Sequence, residues 1–102
     1  MNAITLLGSP RKRGNTATAL GWLEETLKAQ GHNIERINIV DFEVNGCLGC
    51  GKCEEITDKP GCVQKDDVMG IFERMMSADA VVYESHLYCW GFSSQMKALI
   101  DR

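Results

Sequence analysis

The stretch NAITLLGSPRKRGNT, residues 2–16, decides the fold of this chain. Its first part, NAITLLG, is an apolar run that ends at a glycine, which is typical of a strand buried on both faces of a parallel sheet. The polar segment SPRKRGN follows as a loop. Leucines at helical spacing then predict a helix over residues 16–31, which ends at a glycine. The first third of the chain is therefore predicted to form a strand, a loop and a helix.

The rest of the chain continues this alternation of strands and helices. Spaced isoleucines predict a second strand over residues 33–40, and the apolar centre of residues 78–85 predicts a third. An apolar face preceded by two aspartates predicts a helix over residues 66–77, and a serine cap predicts another over residues 93–102. Strands that alternate with helices imply a parallel sheet with right-handed crossovers, so an α/β fold is expected.

Three connecting segments, residues 8–16, 41–65 and 85–93, lie beyond the carboxyl ends of the predicted strands. Ligands of open α/β sheets bind at that edge. The unusual residues of the sequence all fall in these three segments. Together they predict a functional site there.

The composition limits the classes of protein that fit. The chain has 102 residues, 44% hydrophobic and 25% charged, which suits one globular domain with a modest core. A net charge of -3 argues against a nucleic-acid partner. No apolar run approaches the roughly 20 residues of a membrane span. The start of the chain does not read as a signal peptide, and five cysteines are an odd count for a secreted disulfide framework, so a cytoplasmic location is expected.

The segment GSPRKRGNT, residues 8–16, has the features of an anion-binding loop. It leads into a helix, whose unpaired amide groups and partial positive charge favour an anion. Arg11 can bind two phosphate oxygens, and Ser9, Asn15 and Thr16 can add hydrogen bonds. The segment matches neither G-x-x-x-x-G-K-[ST] nor G-x-G-x-x-G. A phosphate site and an ordinary solvated turn are both consistent with this pattern.

The segment CLGCGKCEEITDKPGC, residues 47–62, holds four of the five cysteines. Zinc sites usually separate two C-x2-C pairs by a dozen or more residues, whereas here consecutive C-x2-C steps overlap. Overlapping steps are how bacterial ferredoxin-type runs begin. Four glycines in and around the segment free the backbone to fold around a compact object. An iron-sulfur cluster, a zinc ion and a loop of free thiols remain the alternatives, while Cys89 is expected to be a small apolar residue.

The segment SHLYCWGFSS, residues 85–94, follows the third predicted strand and is rich in aromatic residues. Aromatic side chains at the carboxyl end of a strand are suited to pack against a flat ring. Ordinary aromatic packing around a loop is the alternative.

Two motifs together resemble a known family. GSPRKRGNT with the downstream YCWGFSSQMKALIDR is similar to the NAD(P)H-dependent FMN reductase group of flavodoxin-like proteins, and CLGCGKC…C…KDD resembles its iron-sulfur flavoprotein branch. The resemblance covers essentially the whole chain. It implies a flavodoxin-like, doubly wound parallel sheet, of which this chain supplies the first three strands in the order 2-1-3 with flanking helices.

The resemblance also implies an FMN site and, at the cysteines, a [4Fe-4S] cluster. The residues that would hold the FMN phosphate are Ser9, Arg11, Asn15 and Thr16. The residues that would line the isoalloxazine, mostly through backbone groups, are His86, Leu87, Tyr88, Trp90 and Gly91. The cluster ligands would be Cys47, Cys50, Cys53 and Cys62. The family usually has proline where His86 stands, and the last cysteine gap of eight residues is slightly longer than in the iron-sulfur branch.

These features lead us to expect an FMN-dependent oxidoreductase. NAD(P)H or a reduced carrier would deliver electrons to the flavin, and a small molecule or an electron carrier would accept them. No catalytic side chain is expected, since a flavin enzyme need not have a general acid or base. The alternatives are a non-catalytic electron-carrier or metal-binding module that uses the four-cysteine loop, and a structural fragment without a cofactor.

The resemblance implies one further expectation about the extent of the domain. Flavodoxin-like proteins have five strands in the order 2-1-3-4-5, so residues 1–102 are expected to form an FMN-binding domain that is incomplete at its C-terminal end. The outer edge of the third strand would then lack a partner strand, and long apolar edges favour pairing with another chain. A homo-oligomer that associates through the third strand or the third helix is therefore expected.

Overall fold

A computed structural model of the chain describes residues 1–59 and 61–102. Within them the order of elements is strand, helix, strand, helix, strand, helix. Their bounds are β1 Asn2–Leu7, α1 Asn15–Ala29, β2 Asn33–Asn38, α2 Val68–Met76, β3 Ala80–Glu84 and α3 Ser94–Ile100. Single 3-10 turns lie at Ile39–Asp41 and Lys52–Glu55. Each predicted helix and strand is confirmed within two residues at both ends. Ile39 and Val40, predicted to end the second strand, form a 3-10 turn instead.

The three strands form one parallel sheet in the order β2-β1-β3. Ala3 of β1 pairs with Ile34 of β2 on one side and with Ala80 of β3 on the other. The predicted flavodoxin-like order 2-1-3 is confirmed. Because all three strands run the same way, their carboxyl ends lie at one edge of the sheet, and each of the three unusual segments follows a strand that ends there.

The central strand β1 supplies two hydrophobic cores, one on each face of the sheet. Ile4 and Leu6 face a core made with α2, α3 and the end of β2, and Leu7 faces a smaller core under α1. Successive side chains of a strand point to opposite faces, which explains why this strand reads as a continuous apolar run and not as an alternating one. The remaining members of the larger core are Ile37, Ile39, Val68, Ile71, Met96 and Leu99.

The strand β3 forms one border of the sheet. Within the described residues it pairs with β1 alone, and Tyr83 on this strand is 47% exposed. This matches the expected open edge, and association with another copy through it stays a prediction. None of the helices in the described part of the chain is both long enough and apolar enough to cross a bilayer.

A buried carboxylate fastens α1 to the sheet. Glu24 lies on the core-facing side of α1, and its two carboxylate oxygens accept hydrogen bonds from Arg36 of β2 at 2.9 and 2.8 Å. The hydroxyl of Thr5 on β1 donates to the same carboxylate. Burial alone raises the pKa of Glu24, but the hydrogen bonds from Arg36 and Thr5 outweigh it and hold the pKa below its ordinary value of 4.5. One side chain thus connects a helix to two strands.

Replacing this carboxylate should weaken the domain. Glu24→Gln is expected to lower the free energy of unfolding by about 2 kcal/mol at neutral pH, because it removes a charge-assisted bidentate pair and leaves Arg36 partly unsatisfied. Because the pKa of Glu24 is lower in the folded protein than in the unfolded chain, its negative charge stabilises the fold at pH values above the unfolded-state pKa, and this contribution is lost as the pH falls. The difference in stability between the parent and Glu24→Gln should therefore shrink below about pH 4. Urea unfolding at several pH values measures this. Glu25 is the exposed neighbour of Glu24, so Glu25→Gln is a matched control whose free energy of unfolding should differ little from that of the parent. Equal stability of the two variants would contradict the structural role of Glu24.

Candidate functional site

The first and third loops are held together at the carboxyl edge of the sheet. The amide of Gly8 donates to the carbonyl of Glu84 at 2.8 Å, and the hydroxyl of Ser93 donates to the carbonyl of Gly8. Ser93 also caps α3 by accepting from the amide of Met96 at 3.2 Å, so the predicted serine cap is confirmed. A Cβ on Gly8 would lie 2.7 Å from the Cβ of Met96. Glycine is required here because the β1 terminus packs directly on α3.

The polar side chains of the first loop converge on His86. Ser9 is fully buried, and its hydroxyl oxygen accepts from the amide of Arg11 at 3.0 Å. The imidazole of His86 lies between two hydroxyls, with Nε2 2.8 Å from Oγ of Ser9 and Nδ1 2.9 Å from Oγ1 of Thr16. The side chain of Arg11 is exposed beside them, as is that of Asn15 at the start of α1. The structure thus brings Ser9, Thr16 and His86 together.

The amino terminus of α1 opens onto this group of side chains. Gly14 occupies the cap position, and among the described residues no side chain caps the helix. The first amides of a helix have no partner within the helix and carry a partial positive charge. A buried and a half-buried hydroxyl, unpaired amides and an exposed arginine in one loop suit an anion such as a phosphate group.

The third loop forms a tight, strained turn. Tyr88 and Gly91 exchange two backbone hydrogen bonds of 2.9 and 2.8 Å, and the two residues between them, Cys89 and Trp90, have φ angles of 48° and 63°. The left-handed region is unfavourable for residues with a side chain, so this turn stores backbone strain. Trp90 is 91% exposed as a result.

A shallow groove of about 190 Å³ runs beside this turn. Of the five residues expected to line the flavin ring, four border the groove: His86, Leu87, Trp90 and Gly91. Tyr88 does not, although its ring lies 5.4 Å from that of His86. The ring-binding role of these residues stays a prediction. His86 differs from the other four because its side chain also reaches the hydroxyls of the first loop.

The four-cysteine loop is an extended segment between β2 and α2, with a 3-10 turn at Lys52–Glu55. Cys47, Cys50 and Cys53 are exposed and Cys62 is half-buried, all as free thiols. Gly49 and Gly51 adopt left-handed φ angles of 67° and 73°, which only glycine does without strain. In the described residues no three histidine, cysteine or acidic side chains are arranged around a common metal position. The ligand set therefore stays a prediction.

A buried ion pair closes the base of this loop. Arg102 donates to both carboxylate oxygens of Asp66 at 2.7 and 3.1 Å, and neither side chain is exposed to solvent (0%). The same guanidinium donates to the carbonyl of Asn45 at 2.8 Å and to Sγ of Cys62 at 3.2 Å. Asn45 precedes the first cysteine and Cys62 is the last, so one arginine contacts both ends of the loop.

This arrangement shifts two pKa values. Burial raises the pKa of Asp66, but hydrogen bonds from Arg102 and from the amides of Asn45 and Val68 outweigh burial and lower it to about 2. For Cys62, a backbone hydrogen bond from Gln64 lowers the pKa of the thiol, burial opposes this, and the bond from Arg102 lowers it further. The amide of Val68, the first residue of α2, donates to Asp66 at 3.1 Å. Asp66 is one of the two aspartates expected at the start of this helix.

Periodicity does not reveal Arg102 or the second role of Asp66. Both residues fall in motifs that carry the family resemblance, KDD and IDR, but their pairing over 36 positions has no local signal. The only sequence features that point to it are an acidic residue four positions after the last cysteine and an arginine just beyond a core helix.

The sheet order and the flanking helices define a flavodoxin-like α/β protein. The chain aligns over 100% of its length with an NAD(P)H:quinone oxidoreductase from Methanothermobacter marburgensis, at a TM-score of 0.80 and 24% identity, and covers 52% of that chain, which establishes the fold. The model of the NADPH-dependent FMN reductase family matches residues 1–102. The chain belongs to this family.

Curated relatives in the same family carry the name iron-sulfur flavoprotein. One from Archaeoglobus fulgidus is 37% identical over all 102 residues, which correspond to 45% of its length. Another from Methanocaldococcus jannaschii is 36% identical over 102 residues and 51% of its length. The chain thus spans about half the length of the curated relatives it matches.

The close contact between the end of β1 and α3 can be tested by adding a methyl group at Gly8. Gly8→Ala is expected to lower the free energy of unfolding by about 1 to 3 kcal/mol, because the added methyl overlaps the Cβ of Met96 and one segment must move. Urea unfolding measures the change. Gly70→Ala in α2 is the matched control: its methyl meets nothing within 4 Å, and alanine is the better helix former, so this variant should gain up to about 1 kcal/mol. A fully stable Gly8→Ala variant would show that the two segments are not in close contact.

Proposed function

We propose that this chain forms the FMN-binding part of a flavin-dependent oxidoreductase. Electrons would come from NAD(P)H or a reduced carrier and pass to a small-molecule or electron-carrier acceptor. The observation that carries the proposal is the convergence of Ser9, Thr16 and His86 at the open amino terminus of α1. Family membership supports the same conclusion.

The first loop fits the phosphate of FMN. Ser9 is buried at the start of the loop, and its hydroxyl is held by His86 at 2.8 Å and by the amide of Arg11 at 3.0 Å. The first amides of α1 supply further donors, and the guanidinium of Arg11 is exposed within the same loop. We assign phosphate binding to Ser9, Arg11, Asn15 and Thr16.

The groove beside the strained turn fits one edge of a flat ring. Leu87 and Trp90 offer apolar surface, and the backbone around Gly91 offers hydrogen-bonding groups. FMN bound there would supply the redox chemistry, in one-electron or two-electron steps. The residues of this chain would hold the phosphate of FMN, contact one edge of the flavin ring and exclude water from one side of the ring. No side-chain acid or base is assigned.

The four-cysteine loop has the donor chemistry of an iron-sulfur cluster. Four thiols on one segment, with Cys50 between two left-handed glycines, can supply the thiolates that such clusters need. We propose that Cys47, Cys50, Cys53 and Cys62 hold a [4Fe-4S] cluster, which would exchange single electrons with the flavin. The names of the curated relatives support this proposal. Free thiols also suit the reducing cytoplasm, where we place the protein.

A second candidate is a non-catalytic electron carrier or metal-binding module that works through the cysteine loop. The exposure of three of the four thiols favours it, since an exposed metal site can meet a partner directly. A flavin would then be unnecessary. The visible absorption spectrum of anaerobically purified protein separates the two candidates.

The phosphate assignment predicts a selective loss of affinity. Arg11→Ala should weaken FMN binding roughly tenfold or more, because a charge-assisted hydrogen bond to the phosphate is lost. Riboflavin has the same ring and no phosphate, so its affinity should not change. Fluorescence titration with both flavins measures this. Arg13→Ala, an exposed cation two residues further on, is the control that should retain FMN affinity. Equal effects on FMN and riboflavin would refute the assignment of Arg11.

The cluster assignment predicts that four cysteines act as one ligand set. Protein purified without oxygen should show flavin bands together with a broad sulfur-to-iron absorption. Replacing Cys47, Cys50, Cys53 or Cys62 with alanine should remove iron and sulfide while the flavin remains. Cys89→Ala should keep both, since Cys89 lies outside residues 47–62 and does not line the groove. Flavin bands without iron in the parent protein would refute the cluster assignment and remain consistent with a flavin-dependent oxidoreductase. Iron without flavin would support the electron-carrier or metal-binding module.

A further inference from the structure

We propose that Arg102 is a positioning residue for the four-cysteine loop. Its guanidinium holds the two ends of the loop at one point and fixes the position of the Cys62 thiol. The inference rests on the proposed cluster for its function. The contacts of Arg102 do not depend on a cluster, because all of them are made to residues of this chain.

The guanidinium uses its donors in three directions. Nη1 and Nη2 bind the carboxylate of Asp66 at 2.7 and 3.1 Å, Nη1 also reaches the carbonyl of Asn45 at 2.8 Å, and Nε points at Sγ of Cys62 at 3.2 Å. Asp66 in turn accepts from the amide of Asn45 at 3.1 Å. The cycle of contacts ties the residue that leads into the loop to the last cysteine.

Only arginine can make this set of contacts. A planar guanidinium presents donors in a fixed fork, whereas the ammonium of lysine is a compact point charge. A lysine could still pair with Asp66, but it could not reach the Asn45 carbonyl and the Cys62 sulfur from opposite sides at once. The side chains of Arg102 and Asp66 are both fully excluded from solvent, so an imperfect replacement would leave buried polar groups without partners.

The contact also sets Cys62 apart from the other three cysteines. Cys47 accepts only from the backbone amide of Gly49, at 3.3 Å, and Cys62 is the one cysteine in the described part of the chain whose sulfur accepts from a cationic side chain. Hydrogen bonds to sulfur ligands orient them and raise the reduction potential of an iron-sulfur cluster. Arg102 would therefore affect both retention of the cluster and its potential.

The test compares three variants of the protein reconstituted with FMN, iron and sulfide. Arg102→Lys keeps the charge and removes the fork. Asp66→Asn keeps the guanidinium beside Cys62 and removes the negative charge with which it pairs. Lys97→Gln is the matched control, since Lys97 is an exposed cation of α3 that pairs with Asp101 at the surface. Flavin content reports whether each variant folds, and iron release to a chelator and the midpoint potential of the cluster report on the loop.

For a positioning role, Arg102→Lys should retain flavin, lose iron to the chelator roughly tenfold faster and shift the potential to a more negative value. Asp66→Asn should shift the potential less, because the bond to Cys62 remains, and Lys97→Gln should match the parent. A potential unchanged in Arg102→Lys would overturn the proposal. So would an Asp66→Asn variant that reproduces the whole change, because the effect would then be general stability.

A second measurement separates this proposal from the proposed cluster. In metal-free protein, at a pH that ionises every thiol, alkylation of Cys62 relative to Cys50 can be followed by mass spectrometry. Arg102→Lys should raise that ratio, because the sulfur of Cys62 is released from its donor. If the parent protein takes up no iron, the proposed cluster is refuted, and the alkylation ratio alone tests the role of Arg102. A ratio that is the same in the parent and in Arg102→Lys would refute the proposed role of Arg102.

Discussion

The position of β1 at the centre of the sheet is the constraint on which the rest of the structure depends. β1 pairs with β2 and β3 on its two edges and supplies hydrophobic side chains to both faces, so every helix is placed by reference to it. Its last buried residues run directly into Gly8 and Ser9. The same strand that orders the core therefore carries the first loop into the candidate site, and a shift in its register would move both together.

Polar contacts join the loops to this frame, in addition to the packing of Phe42 and Val44 against the larger core. Ser93 connects the first loop to α3, His86 connects it to the third loop, and Arg102 connects the cysteine loop to the end of α3. Apolar contacts have little directional preference, whereas each of these hydrogen bonds specifies an angle as well as a distance. The core places the elements, and these few polar side chains set how the loops approach one another.

The elements could be predicted from sequence because their signals are local. Apolar runs, helical spacing and the serine cap lie within each segment, and the strand order follows from the family that the two motifs resemble. The first loop was also recognisable from its composition. Three features were not: the buried Glu24 on the core side of α1, the imidazole of His86 between two hydroxyls of another loop, and the pair of Arg102 with Asp66. Each depends on a partner 12 or more positions away, which periodicity cannot detect.

The helix α3 touches both candidate sites, one at each end. Ser93, at its start, holds the carbonyl of Gly8, and Arg102, just beyond its end, holds the sulfur of Cys62. The helix has seven residues and is about 10 Å long, so it behaves as a short rigid rod between the two loops. A displacement that a ligand imposed at one end would reach the other through this helix. Thermodynamic linkage makes such coupling reciprocal: the factor by which occupancy of the first loop changes affinity at the cysteines equals the factor in the opposite direction.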